Sequence, residues 1–279
     1  MGNNQKTSPR VAIVGGNGVV GSSYQKLFPD AYIYDIGVGT KDEVNACDIA
    51  LIAVPTNPTE GGELDMSIVE SVIEWVDTPL ILIKSALMPG TVDRLVEKTG
   101  KNIAVSVEFI GEGNYQVHYW KYPHQDDPRM HAMLIIGGEE KTAQKCAEIL
   151  WRRMSPDIKI HLTSALEAEI TKLVENSWGA FKVTFANTLY SLATKANANP
   201  IRIHQAWTSD GRVDAMHTRA VGFERGWTSK CWDKDVQALA AYAESVQAGD
   251  MAFLINAVLD LNEFHKQENE RDVERNLQS

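Results

Sequence analysis

A cysteine and an aspartate four residues apart are the first candidates for chemistry in this sequence. The segment "GWTSKCWDKDV" (226–236) places Cys231 between two lysines, with Asp235 close to a predicted helix start near Asp233. Cysteine reacts as the thiolate, and an aspartate one helical turn away can move protons. Cys231 is therefore either a nucleophile with Asp235 as its acid/base partner or a half-buried thiol beside an ordinary helix cap.

A second polar pair, Lys172 and Asn176, is also four residues apart and shares a predicted helical face with Glu169. Residues at this spacing are neighbours on a helix surface. The simplest interpretation is a solvated Glu169–Lys172 ion pair, and the spacing alone does not indicate a site.

A glycine cluster follows the first apolar run, in "RVAIVGGNGVVGSSYQKLF" (10–28). Gly16, Gly18 and Gly21 fit G-x-G-x-x-G between a predicted strand and a predicted helix. Gly16 is expected to make the tight turn, Gly18 to let a pyrophosphate approach the helix amides, and Gly21 to let helix and strand pack closely. The alternative is a glycine-rich turn without a ligand.

The second predicted strand, "AYIYD", ends in Asp35. A carboxylate there would accept hydrogen bonds from a ribose diol and repel a 2′-phosphate, which favours NAD over NADP. The predicted cofactor residues in this part of the chain are Gly16, Asn17, Gly18, Val19, Val20, Gly21 and Asp35.

Apolar runs then alternate with helical patterns, which predicts an N-terminal Rossmann-like, doubly wound parallel sheet and an α/β fold. The segment between Asp35 and Asp48 is too short for a full helix and another strand, so this half of the sheet is expected to be pared down. The remaining strands are predicted at 48–55, 79–86, 102–109 and 132–138, and helices near 65–76, 90–99 and 139–152.

The second half of the chain is predicted to be all-helical. One long helix covers 164–198 and stops at Asn199-Pro200, and another runs from about Asp233 to about Phe264. Helices of this length favour a homodimer. The predicted organisation is a disordered tail (1–9), an NAD-binding domain (10–160), a helical domain for dimerisation and catalysis (161–268) and a charged tail (269–279).

Composition narrows the classes of partner. A net charge of −10 argues against nucleic acid and anionic membrane surfaces, so we expect a small-molecule substrate. Cys47, Cys146 and Cys231 are odd in number and form no CxxC pair, so neither disulfides nor a metal site is predicted, and a cytoplasmic location is expected. No stretch approaches the roughly 20 apolar residues that span a bilayer.

Seven segments, in this order, resemble the UDP-glucose/GDP-mannose dehydrogenase family. They are the dinucleotide loop, the Val-Pro-Thr turn, the Lys-Ser-Thr-x-x-Pro-Gly-Thr segment, the Pro-Glu-Phe-x-x-Glu-Gly segment, the helix with an active-site Lys and Asn, the Asp-x-Arg-Ile turn and the Cys-x-x-x-Asp segment. They read here "GNGVVG", "DIALIAVPTNP", "KSALMPGTVDRL", "VEFIGEG", "EAEITKLVENSW", "SDGRV" and "KCWDKDV".

The resemblance implies oxidation of the C6 alcohol of a sugar or nucleotide sugar to the acid, with two hydrides passing to NAD in sequence. Cys231 would form a thiohemiacetal and then a thioester, and the lysines beside it and the helix start would favour its thiolate. Lys172 and Asn176 would stabilise the oxyanion at C6. Asp235 would hold the hydrolytic water, Glu112 would act as general base, and Glu108 would support water or substrate.

The same resemblance implies further binding residues. Those that would contact the cofactor are Val54, Pro55, Thr56 and Ser85, and those that would contact the substrate are Arg212, Phe223 and Lys234.

Three departures from the family pattern stand out. Ala86 replaces a threonine that helps place the active-site water, so hydrolysis is expected to be impaired. Glu224, Arg225 and Trp227 replace small residues in the loop before the cysteine, which predicts a differently shaped substrate pocket. No second glycine-rich strand–turn–helix unit follows residue 236, so a short form without the family's C-terminal nucleotide-sugar domain is expected.

Two alternatives stay open. A β-hydroxyacid-type dehydrogenase pairs a similar Rossmann domain with a helical domain and a Lys-x-x-x-Asn helix, and performs one hydride transfer without a nucleophilic cysteine. The second alternative is a non-catalytic NAD-binding module that assembles with a partner.

Overall fold

The fold is described from a computed structural model that covers residues 8–110, 126–220 and 225–277, with side chains described as far as residue 269. The chain divides into two compact units, residues 1–57 with 64–172 and residues 58–63 with 173–279. The main division falls at 172/173, later than the predicted boundary at 160/161. Glu169 and Lys172 account for this difference, because both bond to groups of the first unit.

Seven strands form one sheet in the order β2-β1-β3-β4-β5-β6-β7. The strands are β1 (Val11–Val14), β2 (Tyr32–Tyr34), β3 (Ile49–Ile52), β4 (Leu80–Ile83), β5 (Ile103–Val107), β6 (Met133–Gly138) and β7 (Lys159–Thr163).

The described helices are α1 (Val19–Leu27), α2 (Lys41–Asn45), α3 (Ser67–Trp75), α4 (Thr91–Thr99), α5 (Glu140–Trp151), α6 (Ala165–Lys195), α7 (Pro200–Trp207), α8 (Lys230–Ser245) and α9 (Gly249–Leu277). α1 to α5 belong to the first unit. α6 starts in the first unit and continues into the second, and α7 to α9 belong to the second.

The central strands β1, β3, β4 and β5 are buried along their whole length, as expected for parallel strands covered on both faces. β1 pairs with β2 on one side and β3 on the other. The strand order therefore reverses at β1, and the carboxyl ends of β1 and β3 flank the crevice where open α/β sheets bind ligands. Only the short helix α2 separates β2 from β3.

Two features of the sheet differ from the prediction. β6 runs antiparallel to β5, so the sheet is mostly rather than wholly parallel. β7 is an additional strand that pairs parallel to β6. Its residues, "KIHLT", are mainly exposed because β7 is the edge of the sheet, and a polar edge strand leaves no apolar run to detect.

The helical prediction needs three corrections. The helix expected over 233–264 is two helices, broken where Gln247 adopts a φ of 60°. Asn199 and Pro200, predicted to end a helix, form the start of α7. The Asn199 side chain caps the Arg202 amide, and proline suits a first helical turn. The charged tail from 269 remains helical to Leu277, since Glu, Arg and Leu are good helix formers.

None of the helices in the described parts of the chain has the length and apolar content needed to cross a membrane.

Candidate active site

The glycine loop depends on close backbone approach. Gly15 has a φ of 81°, and a Cβ atom on it would lie 2.4 Å from the Ala53 carbonyl oxygen. The left-handed turn residue is therefore Gly15 and not Gly16 as predicted; Gly16 is confined instead by the Ile33 side chain, 2.5 Å from a Cβ position. At Gly21 a Cβ would lie 2.2 Å from the Gly15 oxygen, in line with the predicted close packing of helix and loop.

The first turn of α1 carries the chemistry expected of a diphosphate site. Gly18 precedes Val19 as N-cap and supplies no side-chain hydrogen bond to the helix amides. An uncapped helix N-terminus attracts anions through its N–H groups and its dipole. Val20 and Gly21 continue this turn, and the Gln25 side chain braces the loop by donating to the Gly16 carbonyl at 2.7 Å.

Asp35 lies against this loop. Its Oδ2 accepts a hydrogen bond from the Asn17 amide at 2.8 Å, and its Oδ1 accepts one from the Ile36 amide at 2.7 Å. A carboxylate oxygen can accept a further bond, so both oxygens retain capacity for a ribose hydroxyl. The loop, the uncapped helix and Asp35 together fit NAD.

The segments after β3 and β4 are neighbours because the two strands pair in parallel, with Ile52 opposite Ile83. Ser85 donates its hydroxyl proton to the Val54 carbonyl at 2.6 Å. Within the Val-Pro-Thr turn, Pro55 is exposed and Thr56 is buried. Ser85 and Val54 are thus brought together as the resemblance implies, with the hydroxyl proton of Ser85 used to join the two segments.

A recess in the first unit is lined by four charged residues, Lys84, Glu108, Glu169 and Lys172, and by Ala86 among others. Lys172 is buried and donates to the Glu108 carbonyl oxygen at 2.8 Å, with its ammonium 5.0 Å from the centre of the Phe109 ring. The Glu108 carboxylate accepts from the Ile110 amide at 2.7 Å. Glu112 lies outside the described residues.

Glu169 is not the solvated partner of Lys172. It is 1% exposed and accepts hydrogen bonds from the amides of Gly90 at 2.6 Å and Val92 at 2.9 Å. These amides belong to the start of α4, which has no cap of its own at Gly90. Burial raises the pKa of the Glu169 carboxyl to about 7, although the two amides act to lower it.

Lys84 is a buried charged residue to which the sequence analysis gave no role. It is 2% exposed, donates to the Ser106 hydroxyl at 2.9 Å and lies 4.4 Å from the centre of the Tyr24 ring. Burial lowers the pKa of Lys84 to about 7, with Glu108 opposing this shift and Lys172 adding to it. Its position at the end of the apolar run "LILIK" was the available signal.

In the second unit, Cys231 lies in the first turn of α8. The helix begins at Lys230 and not near Asp233, because Ser229 acts as N-cap and its hydroxyl accepts from the amides of Cys231 at 3.3 Å and Trp232 at 3.4 Å. The thiol is half-buried. The corrected helix start brings the sulfur closer to the positive end of the helix than the sequence predicted.

Asp235 is fully buried one turn after Cys231. Its Oδ2 accepts from the Asn176 amide nitrogen at 2.5 Å, and its Oδ1 accepts from the Lys234 ammonium at 2.6 Å. The structure therefore joins two predicted catalytic residues, and it pairs Lys234 with the Asp235 carboxylate.

Another predicted substrate residue, Arg212, has its described hydrogen bonds with Asp210 and not with these groups. Arg212 is exposed and forms a fork with Asp210, at 3.0 Å from Nε and 2.5 Å from Nη2. Phe223 and Glu224 lie outside the described residues. Arg225 and Trp227 are buried in the helical unit, where Arg225 bonds Ser191 and Glu268; the expected change in the shape of the substrate pocket stays a prediction.

Within the residues that the structure describes, no three His, Cys, Asp or Glu side chains are grouped so that they could hold a metal ion.

Family models match most of the chain. The NAD binding domain of the UDP-glucose/GDP-mannose dehydrogenase family matches residues 33–155, and the central domain of the same family matches residues 166–264. The chain belongs to the UDP-glucose/GDP-mannose dehydrogenase family.

Among curated members, UDP-glucose 6-dehydrogenase AglM of Haloferax volcanii is 26% identical over 246 residues, which covers 80% of this chain and 54% of that protein. The chain spans about half the length of the curated relatives it matches.

Two solved structures show the same fold. A UDP-glucose dehydrogenase from Pyrobaculum islandicum matches with a TM-score of 0.76 and 22% identity, covering 95% of this chain and 70% of that one. Mycobacterium tuberculosis 3-hydroxyisobutyrate dehydrogenase matches with a TM-score of 0.62 and 15% identity, covering 93% and 95%. The predictions of the family, of an α/β fold with a helical domain, and of NAD as the cofactor are confirmed.

Proposed function

We propose that this member of the UDP-glucose/GDP-mannose dehydrogenase family oxidises the primary alcohol of a sugar or nucleotide sugar to the acid, with NAD as oxidant and Cys231 as nucleophile. The observation that carries the proposal is the arrangement on α8: a half-buried thiol in the first turn, and one turn later a buried carboxylate bonded to Asn176 and Lys234. An inert cysteine needs no such charged neighbour.

The first oxidation removes a hydride from the alcohol carbon and a proton from its oxygen. NAD, when bound, supplies the hydride acceptor. The loop from Gly16 to Gly21 would hold its diphosphate and Asp35 its ribose. Val54, Pro55, Thr56 and Ser85, in the turns that follow the neighbouring strands, would contact it as well. We assign Glu112 as the base that takes the proton, with Glu108 in support.

The resulting aldehyde is attacked by the Cys231 thiolate. A carbon–sulfur bond forms and the carbonyl electron pair moves to oxygen, giving a thiohemiacetal oxyanion. We assign Lys172 and Asn176, one turn apart in α6, as its donors, because an ammonium and an amide stabilise developing negative charge in a water-poor site. Transfer of the second hydride to a second molecule of NAD would restore the carbonyl as a thioester.

Hydrolysis completes the reaction. Water adds to the thioester carbon, the carbon–sulfur bond breaks, and the thiolate leaves as the acid is released. The buried Asp235 carboxylate, oriented by Asn176 and Lys234, is suited to hold this water. Ala86 offers no hydroxyl to share that task, so we expect this to be the slow step.

For the substrate we assign Arg212, Phe223 and Lys234 as contacts, in a cytoplasmic enzyme that acts as a homodimer. Large apolar side chains on the surface of the helical unit support the homodimer: Phe185, Leu192 and Phe253 are 50%, 64% and 78% exposed.

The test compares the wild type with Cys231→Ser on a panel of UDP-, GDP- and dTDP-sugars, free sugars and hydroxyacids. Wild type is expected to form two NADH per acid, whereas Cys231→Ser stops near one NADH and accumulates aldehyde, detectable by hydrazine trapping. Cys146→Ala removes a fully buried thiol of the first unit and serves as the matched control.

Two outcomes contradict the proposal. Unchanged acid production by Cys231→Ser would support a single-step dehydrogenase of the β-hydroxyacid type. NAD binding by the wild type with no NADH formed from any substrate would support a non-catalytic NAD-binding module.

A further inference from the structure

The backbone of Trp227, four residues before Cys231, is held by one side chain of α9. The Trp227 amide donates to Asn262 Oδ1 at 2.7 Å, and Asn262 Nδ2 donates to the Trp227 carbonyl at 3.0 Å. Asn262 is 4% exposed, so neither bond competes with bulk water. A primary amide that pairs with both polar groups of one residue fixes that residue as a strand partner would.

At the preceding position, Gly226, the chain passes close to α9. Gly226 has a φ of 90°, and a Cβ on it would lie 3.1 Å from both Asn262 Oδ1 and Lys266 Cγ. A side chain there would meet both a backbone strain and a crowded amide. Gly226 and Asn262 thus act together to set where the chain crosses α9.

The Trp227 side chain connects this fixed backbone to α6 and α8. Its indole N–H donates to the Thr184 hydroxyl of α6 at 3.0 Å. Its ring lies 6.1 Å from that of Trp232, edge to face, and Trp232 directly follows Cys231. On the other side Trp232 packs against Gly179, where a Cβ would lie 2.6 Å from the indole. The residue next to the thiol therefore packs against the Trp227 ring as well as against His217 and Gly179.

The N-cap of α8 is the second link. Ser229 stands two residues after Trp227 and caps the amides of Cys231 and Trp232, while its own amide donates to Asp233 Oδ2 at 3.2 Å. A cap works only when the backbone entering the helix has the right direction. The Asn262 pair supplies that direction from outside α8.

We propose that Asn262 is a positioning residue for Cys231: by pairing with the Trp227 backbone it holds the first turn of α8 in the geometry that makes the thiol a nucleophile. Asn262 does not touch the reacting atoms; it acts through Trp227 and Ser229. The use of the thiol in catalysis rests on the proposed function, whereas the positioning itself does not.

The test measures alkylation of Cys231 by iodoacetamide as a function of pH, with peptide mass mapping to separate it from the buried Cys47 and Cys146. It uses the full chain without substrate. Asn262→Asp keeps the acceptor for Trp227 and loses the donor; Asn262→Leu loses both. Asn256→Leu is the matched control on α9, since Asn256 bonds only the exposed Glu244 side chain at 3.1 Å among the hydrogen bonds described.

Because a helix terminus stabilises a nearby anion modestly, we expect Asn262→Asp to slow alkylation at neutral pH by about three- to tenfold and to move the midpoint of the pH profile upward. The limiting rate at high pH should be equal or faster, since a loosened terminus exposes the thiol. Asn262→Leu should show the larger shift and Asn256→Leu none. Simple loss of packing would instead raise the rate at every pH.

An unshifted pH profile in both folded Asn262 variants overturns the proposal. So does loss of the cooperative thermal transition in Asn262→Asp, because Asn262 would then be part of the core and not a support for one helix terminus. If the wild type oxidises no substrate, the proposed function fails, and the alkylation profiles still decide the role of Asn262.

Discussion

The raised pKa of the Glu169 carboxyl predicts how the free energy of unfolding of the chain depends on pH. Burial raises its folded-state pKa from 4.5 to about 7, so the folded chain binds this proton more tightly than the unfolded chain. Stability from this group is therefore fully present below pH 4.5 and is lost as the pH rises to 7. From these two pKa values the loss is about 1 kcal/mol by pH 5 and about 3 kcal/mol by pH 8.

Substituting Glu169→Gln removes this titration and retains one acceptor for the two amides of Gly90 and Val92. At pH 5 the variant should be somewhat less stable than the wild type, because its side chain has only one oxygen to accept from the two amides. Between pH 5 and pH 8 the wild type should lose about 2 to 3 kcal/mol more than the variant.

The assay is urea unfolding of both chains at pH 5 and pH 8, with midpoint and slope fitted separately. Glu97→Gln, an exposed glutamate on α4, is the control and should follow the wild type at both pH values. Equal pH dependence in the wild type and Glu169→Gln would contradict this prediction, since it would mean that the carboxyl is not held in a water-poor site.

Three further changes test other parts of the structure. Lys84→Met should stabilise the chain below pH 7 in urea unfolding, and the gain should shrink toward pH 10, because a lysine with a lowered pKa loses its burial cost as it deprotonates; a pH-independent effect would contradict this. Asp35→Ala should weaken NAD binding at least about tenfold and reduce discrimination against NADP in calorimetry, and unchanged affinities would count against its ribose role. Gly15→Ala should be far more destabilising in thermal melts than Gly37→Ala, since both glycines have positive φ but only at Gly15 would a Cβ meet the Ala53 carbonyl. The Gly37 change should cost about 1 kcal/mol, and similar losses in both variants would contradict the close backbone approach at Gly15.

Local patterns were sufficient for the buried strands and for a glycine turn before the first helix. Buried strands such as "VAIV" and "LILI" are apolar throughout, and the glycines stand where a turn meets a helix. They were insufficient for β7, because an edge strand carries polar residues. They were also insufficient for the break at Gln247, because the left-handed residue is a glutamine and the nearby glycine, Gly249, belongs to the start of the next helix.

The candidate site shows the same limit more sharply. Lys172, Asn176, Cys231 and Asp235 were found through short motifs and a resemblance in motif order. The cap that Glu169 provides for α4 was not predicted. The hydrogen bond joins residues 77 apart in the chain, and the helical spacing favoured a solvated ion pair with Lys172 instead. The same holds for Asn262 and Trp227, which are 35 residues apart. Such partners are decided by tertiary packing, which a local pattern does not contain.

The most direct test of the proposed thioester chemistry is whether Cys231 becomes acylated during turnover. Asp235→Asn, incubated with NAD and the substrate identified in the panel, should slow hydrolysis and accumulate a covalent adduct with the mass of the sugar acyl group, mapped to Cys231. Acid formation by the wild type, with no adduct on Cys231 in either the wild type or Asp235→Asn after rapid acid quenching, would contradict the thioester and with it the proposed chemistry.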